Sequence, residues 1–339
     1  MSPASVQFEE LVRRILEAKN FVIRNPSLPS ADAGIDFIAT LRDEAWAIEV
    51  KYYRTVRPQV SLLDAAAARL TSRAPSYQAK KGMLVVSCLV PPELRSRLED
   101  RFSLTLIDRG DLLTWTTGLP DLLDALSALL DATTAELEFP SARSDSSIAD
   151  AKYLPPATTP EDTHGTELCH RLHELKRGKT TWPAYEQLCD EILKYLFPND
   201  LQGWHKQKTT DDGLNRYDYV CRIRPTTEFW GFLVQHLNSR YAVFEFKNYS
   251  EKIKQGQVLT TEKYLLERGL RRVAIIFSRL GADTNATKMT RGAMREHGKL
   301  ILVLSDDDVC TMLHMKERGE DPSDFLFEAT DNFMLELGR

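Results

Sequence analysis

The stretch Val243-Phe244-Glu245-Phe246-Lys247-Asn248-Tyr249 sets a carboxylate and an amine two positions apart inside an apolar run. Alternation along a strand sends Glu245 and Lys247 to one face and Phe244 and Phe246 to the other. Two charges on a face of an otherwise buried strand are costly unless they pair or bind something. The same pattern stands earlier, as Ala47-Ile48-Glu49-Val50-Lys51-Tyr52-Tyr53. A chain that carries it twice has to bury two such strands, and each pair is either a salt bridge or part of a metal site.

The surrounding sequence supplies the elements. Residues 8–18 read as a helix, with Phe8, Leu11, Val12, Ile15 and Leu16 on one apolar stripe and Glu9 off it or at its edge. Residues 21–23 are β-like, and a loop through Pro26 and Pro29 follows. Residues 34–39 open a strand carrying Asp36, 42–44 form a hairpin turn, and 45–52 return as the next strand. The Ala- and Leu-rich stretch 61–72 is helical, and 82–87 is a continuous apolar run suited to a central strand. A helix at 91–100, a strand at 104–107 and helices at 111–115 and 119–130 finish this half. Thr, Ser, Pro and Asp dominate 132–165, which cannot bury enough apolar surface of its own to offset its ordering entropy, so a linker is expected there, ordered only where it packs on the domains.

After a short helix at 166–176, the second half repeats the plan. Tyr185, Leu188, Ile192 and Leu196 form a helical stripe, 217–223 is a strand carrying Asp218, and 225–238 is an aromatic insertion. The strand 240–249, a helix at 257–268, a strand at 272–278, a helix at 285–296 and a strand at 300–304 follow, with Asp306, Asp307 and Asp308 at a helix start where acidic groups are favourable. Five landmarks match in order: Phe8-Glu9 with Tyr185-Glu186, Asp36 with Asp218, Glu49-Val50-Lys51 with Glu245-Phe246-Lys247, Val85-Val86-Ser87 with Ile276-Phe277-Ser278, and Leu106-Ile107 with Val303-Leu304. The chain therefore reads as two copies of one domain.

A hard divalent cation such as magnesium takes oxygen ligands from one or two carboxylates, with water and phosphate completing the shell. Asp36 with Glu49, and Asp218 with Glu245, can supply that pair. Lys51 and Lys247 share the glutamate's face, where a lysine can orient a water and steady charge developing on a phosphate. Glu9 and Glu186 can complete the outer shell or hold a second metal. Metal-assisted hydrolysis of a phosphodiester is the reaction this set serves. The plainer reading is an ion pair, since an E-x-K triplet alone carries little information and a third one, Glu174-Leu175-Lys176, sits on a helix with no aspartate strand before it.

Each half resembles the PD-(D/E)xK restriction-endonuclease-like superfamily. The first looks most like its Mrr-type branch, through Phe8-Glu9, Gly34-Ile35-Asp36 and Glu49-Val50-Lys51; the second is similar to restriction-endonuclease-like domains of bacterial defence proteins. The proline that usually precedes the motif aspartate is replaced by Ile35 and Tyr217, and the gap from Asp218 to Glu245 is long. The resemblance implies an α/β chain of two restriction-endonuclease-like domains, each a mixed central β-sheet flanked by helices, at 1–131 and 166–339 with the linker 132–165 between. It implies catalytic Asp36, Glu49, Lys51, Asp218, Glu245 and Lys247, with Mg2+ or Mn2+ on the four carboxylates, and Gln59 and Gln257 as accessory positions. The expected function is metal-dependent endonuclease cleavage of nucleic acid, double-stranded DNA first, in defence against foreign nucleic acid, with a homo-oligomer or a defence-system partner protein compatible with it. The alternative is a binding module on a degenerate nuclease scaffold.

Composition sets the outer limits. The 339 residues are 42% hydrophobic and 27% charged with a net charge of -5, an ordinary soluble balance that excludes a general nucleic-acid coat and leaves polyanion binding to local patches. Five cysteines without C-x-x-C spacing predict reduced thiols, no disulfide framework and no zinc site. His170-x-x-His173 beside Cys169 reads as a solvated helix face, and His205 with Lys206 and Lys208 as surface. The first residues lack a signal-peptide pattern and no apolar run can span a membrane, so a cytoplasmic location is expected.

Overall fold

The computed structural model describes residues 3–24, 35–138, 148, 151–154, 163–206 and 218–338. The sequence readings at Gly34, Lys208 and Tyr217, and in the stretches 140–145 and 155–160, lie outside the described residues. The chain splits into two compact units, Met1–Asp162 with Arg318–Glu320, and Thr163–Glu317 with Asp321–Arg339.

In the first unit, helix α1 (Pro3–Ala18) buries the stripe Phe8, Leu11, Val12, Ile15 and Leu16. Strand β1 (Val22–Arg24) pairs antiparallel with β2 (Phe37–Leu41), which pairs antiparallel with β3 (Glu44–Lys51). The β2–β3 turn holds Arg42 and Asp43 at φ 51 and 64, the doubly left-handed two-residue turn that matches strand twist. Helix α2 (Val60–Arg73) makes the crossover that lets β4 (Lys81–Val86) run parallel to β3. Helix α3 (Pro92–Phe102) returns the chain to β5 (Thr105–Ile107), parallel to β4. Helices α4 (Arg109–Thr116), α5 (Pro120–Leu130) and α6 (Thr134–Glu138) follow, and α4 opens with reciprocal bonds between Asp108 and Asp111.

The β3 alternation sorts its side chains into two cores. Ile48 and Val50 join Phe8, Ile15 and Leu126 on one face; Ala47 joins Leu63, Leu70 and Leu84 on the α2 face. Glu49 and Lys51 share the face of Ala47.

The second unit starts with α7 (His164–Glu174) and α8 (Trp182–Leu196). Its sheet runs β6 (Leu201–Lys206), β7 (Tyr219–Ile223), β8 (Tyr241–Lys247), β9 (Val273–Ser278), β10 (Leu300–Leu304) in spatial as in chain order. The first two pairings are antiparallel and the last two parallel, the same order and sense as in the first unit. Helices α9 (Glu228–Gln235), α10 (Gln255–Lys263), α11 (Thr284–His297), α12 (Asp306–Glu317) and α13 (Pro322–Leu335) complete it. Phe244 and Phe246 enter the core beneath α8, α9, α12 and α13, while Val243 enters the smaller core of α10 and α11.

Four sequence readings change. The strand β6 was not expected: Gly203 at φ 62 and a bulge between Gln202 and His205 break the alternation that would have marked it. The region after 320, where the sequence reading placed no element, forms α13, with Leu326 buried and Phe325, Phe327 and Phe333 packed on the core. In register, Glu49 faces Leu84 and Glu245 faces Ile276, so Leu84, not Val85, corresponds to Ile276; the sequence match had slipped by one residue, which would exchange the two faces of β4. Finally, Cys169 and Cys310 are joined in a disulfide, while Cys88, Cys189 and Cys221 are buried free thiols. Parts of 132–165 are packed: Ile148 is buried, the Leu154 N–H donates to the Lys80 carbonyl at 2.8 Å, and Tyr153 hydrogen bonds Glu44.

Candidate functional site

Both charged pairs sit at the C-terminal ends of parallel-paired central strands, and an aspartate reaches each from the neighbouring antiparallel strand. In the first unit, Asp36 precedes β2. Its N–H donates to the Ile48 carbonyl at 2.9 Å, and its Oδ2 accepts the Val50 N–H at 2.6 Å. Glu49 is fully buried; its Oε1 lies 2.7 Å from Lys51 Nζ, and its Oε2 accepts no hydrogen bond from the described residues. Burial pushes the Glu49 carboxyl up to about 7, with Lys51 drawing it down and Asp36 pushing it further up. Desolvation also raises Asp36, against the pull of Lys51 and the Val50 N–H. Burial acts to lower Lys51, but Glu49, Asp36 and Glu320 outweigh it and hold the ammonium charged, above the usual lysine range.

Glu9, half-buried on α1, completes this group. Its carboxyl is pushed up to about 7, by burial first and then by Asp36, and Lys51 acts on it in the opposite sense. Two more charges belong to the site that sequence reading did not find. Arg69, buried on α2, draws down both Asp36 and Glu49. Glu320, in the segment Arg318–Glu320 that belongs to the first unit, brings its Oε1 to 3.8 Å from Lys51 Nζ while Arg318 grips both its oxygens at 3.0 Å. Arg69 sits two turns into an Ala-rich helix and Glu320 lies 269 positions beyond Lys51, so neither carries a local signal.

The second unit repeats the arrangement. Asp218 is buried, and its Oδ2 accepts the Phe246 N–H at 2.8 Å. Lys247 Nζ donates to Glu245 Oε2 at 2.7 Å, while Glu245 Oε1 is buried and accepts nothing from the described residues. Burial pushes Glu245 up to about 7, Lys247 draws it down, and Asp218 pushes it up. Burial opposes the charge on Lys247, yet Glu245 and Asp218 raise it above its ordinary value.

The remaining sequence candidates lie as follows. Glu186 is buried on α8, where its charge acts on Tyr219. Gln59 is the residue before α2, and its carbonyl accepts the Leu62 N–H at 3.1 Å. Gln257 lies in the first turn of α10, and its Oε1 accepts the Lys254 N–H at 3.0 Å, which satisfies a backbone donor at the helix start. Tyr53 is buried and donates to the Gly319 carbonyl at 2.7 Å, Tyr52 packs against Phe8, and Tyr249 is exposed.

The donor sets fit a hard divalent cation. A buried carboxylate oxygen without a partner is costly, and among the described residues each unit has one, on the glutamate that shares its site with an aspartate. An oxygen-seeking ion would satisfy it and favour the ionised form of a carboxyl raised to about 7.

Residues 2–116 match a family model described as restriction endonuclease. That match covers α1 to α4 and contains Glu9, Asp36, Glu49, Lys51 and Gln59. A search of the curated proteins finds no match. Among solved structures, the chain is similar to a protein of unknown function, AF1548 (11% identity, 55% of this chain and 88% of that one, TM-score 0.25). It is also similar to the restriction endonuclease FokI bound to DNA (10% identity, 80% of this chain and 48% of that one, TM-score 0.31). At these TM-scores neither likeness fixes the fold. Among the described residues no helix is long and apolar enough to cross a membrane.

Proposed function

We propose that this chain is a metal-dependent endonuclease that hydrolyses phosphodiester bonds, in duplex DNA first, with one site in each unit. The observation that carries this reading is the repeated triad, in which a buried glutamate oxygen has no partner among the described residues and lies beside an aspartate anchored to the backbone. Asp36 with Glu49, and Asp218 with Glu245, would hold Mg2+ or Mn2+. Such an ion, when bound, polarises a phosphoryl oxygen and acidifies water. Lys51 and Lys247, held charged by their carboxylate neighbours, fit the role of clamping the phosphate and the charge that develops on it rather than that of a free base. Glu9 would hold a water at the edge of the first site, its carboxyl near neutrality.

Both units presenting the same set supports cleavage of both strands of a duplex, one strand at each site. The restriction endonuclease match in the first unit supports a role in defence against foreign nucleic acid. One feature favours the binding-module alternative: each glutamate is already paired with its own lysine at 2.7 Å, so the pairs would persist as structure without any ion. A cleavage panel separates the two. Supercoiled plasmid, linear duplex, single-stranded DNA and RNA are incubated with the chain and Mg2+ or Mn2+, with the Lys51→Ala/Lys247→Ala double variant alongside. Cleavage of at least one substrate by the wild type and not by the variant supports the enzyme; survival of every substrate leaves the binding module.

A further inference from the structure

The second unit brings together a group of side chains that the nuclease reading does not use. Cys169 and His173 lie four residues apart on α7, hence on one face of that helix. Asp307 and Cys310 lie three apart on α12, which packs against α7. His173 Nε2 is 3.3 Å from Cys310 Sγ and 3.9 Å from Asp307 Oδ1. Cys169, His173 and Cys310 are the one group of three or more metal-ligating side chains within 4.8 Å of one another among the described residues.

The helices are held in place without the sulfur–sulfur bond. Gly165 lets α7 approach closely, since a Cβ there would meet the Leu313 carbonyl at 2.5 Å. Glu317 accepts the Thr166 N–H at 2.6 Å and its hydroxyl at 3.0 Å. At the other end of α7, Arg279 donates to the Leu172 and Leu175 carbonyls and to Asp306, the first residue of α12. Reduced thiols at 169 and 310 would therefore stay face to face. A disulfide needs only the two sulfurs, whereas an imidazole nitrogen beside them and an exposed carboxylate 3.9 Å from that nitrogen offer a third and a fourth donor. In a tetrahedral site with bonds of about 2.0–2.3 Å, neighbouring ligand atoms stand about 3.3–3.8 Å apart. The His173 distances are already near that edge length. His173 is about half exposed and Asp307 almost fully so, which gives an ion a way in.

We infer that in the reduced chain Cys169, His173, Asp307 and Cys310 form a tetrahedral site for a zinc-class divalent cation, and that the disulfide is the competing, metal-free state. A dithiol reductant opens the bond: two electrons and two protons go to the sulfurs, giving two thiols, and the reductant closes to its own disulfide. Metal binding then releases both thiol protons to solvent. Two thiolates and an imidazole select a soft-to-borderline ion, unlike the all-oxygen sets at Asp36 and Asp218.

Cobalt(II) reads this site apart from the oxygen sites, because only thiolate ligation gives sulfur-to-cobalt charge transfer in the near ultraviolet. The full chain, reduced and freed of reductant without air, is titrated with Co2+ and then with competing Zn2+. One equivalent with charge-transfer and tetrahedral visible bands, displaced by Zn2+, is expected. Diamide oxidation should abolish the bands, as should the paired change Cys169→Ser with Cys310→Ser. His173→Ala should weaken binding at least about tenfold, the loss usual even for a group one step removed from the metal, and Asp307→Asn should weaken it while keeping the charge transfer. If a serine variant fails to fold, the diamide-treated wild type is the metal-free reference. Absence of charge transfer in the reduced wild type, or its persistence after diamide or in the folded double-serine variant, overturns the assignment.

Discussion

Asp218 Oδ2 accepts the backbone N–H of Phe246 at 2.8 Å, and Asp36 makes the same bond to Val50 at 2.6 Å. In both units the acceptor precedes the second strand of the sheet, and the donor is the residue between the glutamate and the lysine. The bond fixes one carboxylate oxygen on the strand that bears Glu245 or Glu49 and leaves the other for a ligand. Asp218→Asn keeps an oxygen able to accept from Phe246 but removes the charge. Its melting temperature should stay within a few degrees of wild type, while cleavage at the second site falls about 10²–10³-fold, the scale of one lost electrostatic contact in a transition state. Asp218→Ala should also lose about 1–3 kcal/mol of stability, because a buried N–H is left without a partner. Equal cleavage by wild type and Asp218→Asn would remove Asp218 from the site.

If each unit cuts one strand, the two glutamates are separable on a supercoiled plasmid. Wild type with Mg2+ should give linear product. Glu49→Ala and Glu245→Ala should each stop at the nicked circle, the double variant should leave the plasmid supercoiled, and a chelator should arrest all of them. Linear product at the wild-type rate from both single variants would show that one chain does not divide the strands between its two sites.

The repeated triads were legible because a strand's period of two turns a charged doublet in an apolar run into a visible anomaly, and the sheet bears out the facing of Phe244 and Phe246. Turn chemistry was equally readable at Arg42-Asp43. What stayed hidden lacked periodicity or locality. The strand β6 is bulged at Gly203, so alternation could not reveal it. Apolar runs such as Leu84-Val85-Val86 carry no phase, and the register between the two halves therefore slipped by one there. Arg69 and Glu320 reach the first site only through tertiary packing. The pairing of Cys169 with Cys310 spans 141 residues, and no spacing rule reaches that far.

Glu49 ties stability to pH. Its carboxyl is raised from 4.5 to about 7 in the folded chain, so the folded state holds the extra proton and the favourable contribution is fully present below about pH 4.5. It is lost as pH rises through 7, with an upper bound of about 3 kcal/mol from the size of the shift. Glu49→Gln cannot ionise. In the presence of chelator its stability relative to wild type should therefore rise between pH 5 and pH 8, and saturating Mg2+ should stabilise wild type more than the variant at pH 8. Urea unfolding at the two pH values measures both. A difference that stays flat or falls across this window would mean that Glu49 is not destabilised by its charge.

Arg279 is a heavily engaged buried cation of the second unit. Its guanidinium, 1% exposed, donates to Asp306 Oδ2 at 2.6 Å, to Asn248 Oδ1 at 2.8 Å, and to the Leu172 and Leu175 carbonyls at 2.8 and 3.0 Å. Asn248 in turn follows Lys247 and donates to the Gly178 carbonyl at 3.0 Å, so one side chain ties the end of β8 to both α7 and α12. Removing it leaves Asp306 buried without its counter-charge, a loss of about 3–5 kcal/mol. Lysine should not rescue this, because a single ammonium cannot span four acceptors in the directions of a planar fork. The paired change Arg279→Met with Asp306→Leu removes both charges together and should cost less than Arg279→Met alone. Urea unfolding of the two single variants and the double variant closes the cycle. An Arg279→Met cost below about 1 kcal/mol, or a double variant at the sum of the two singles, would show that the network does not hold the second unit together.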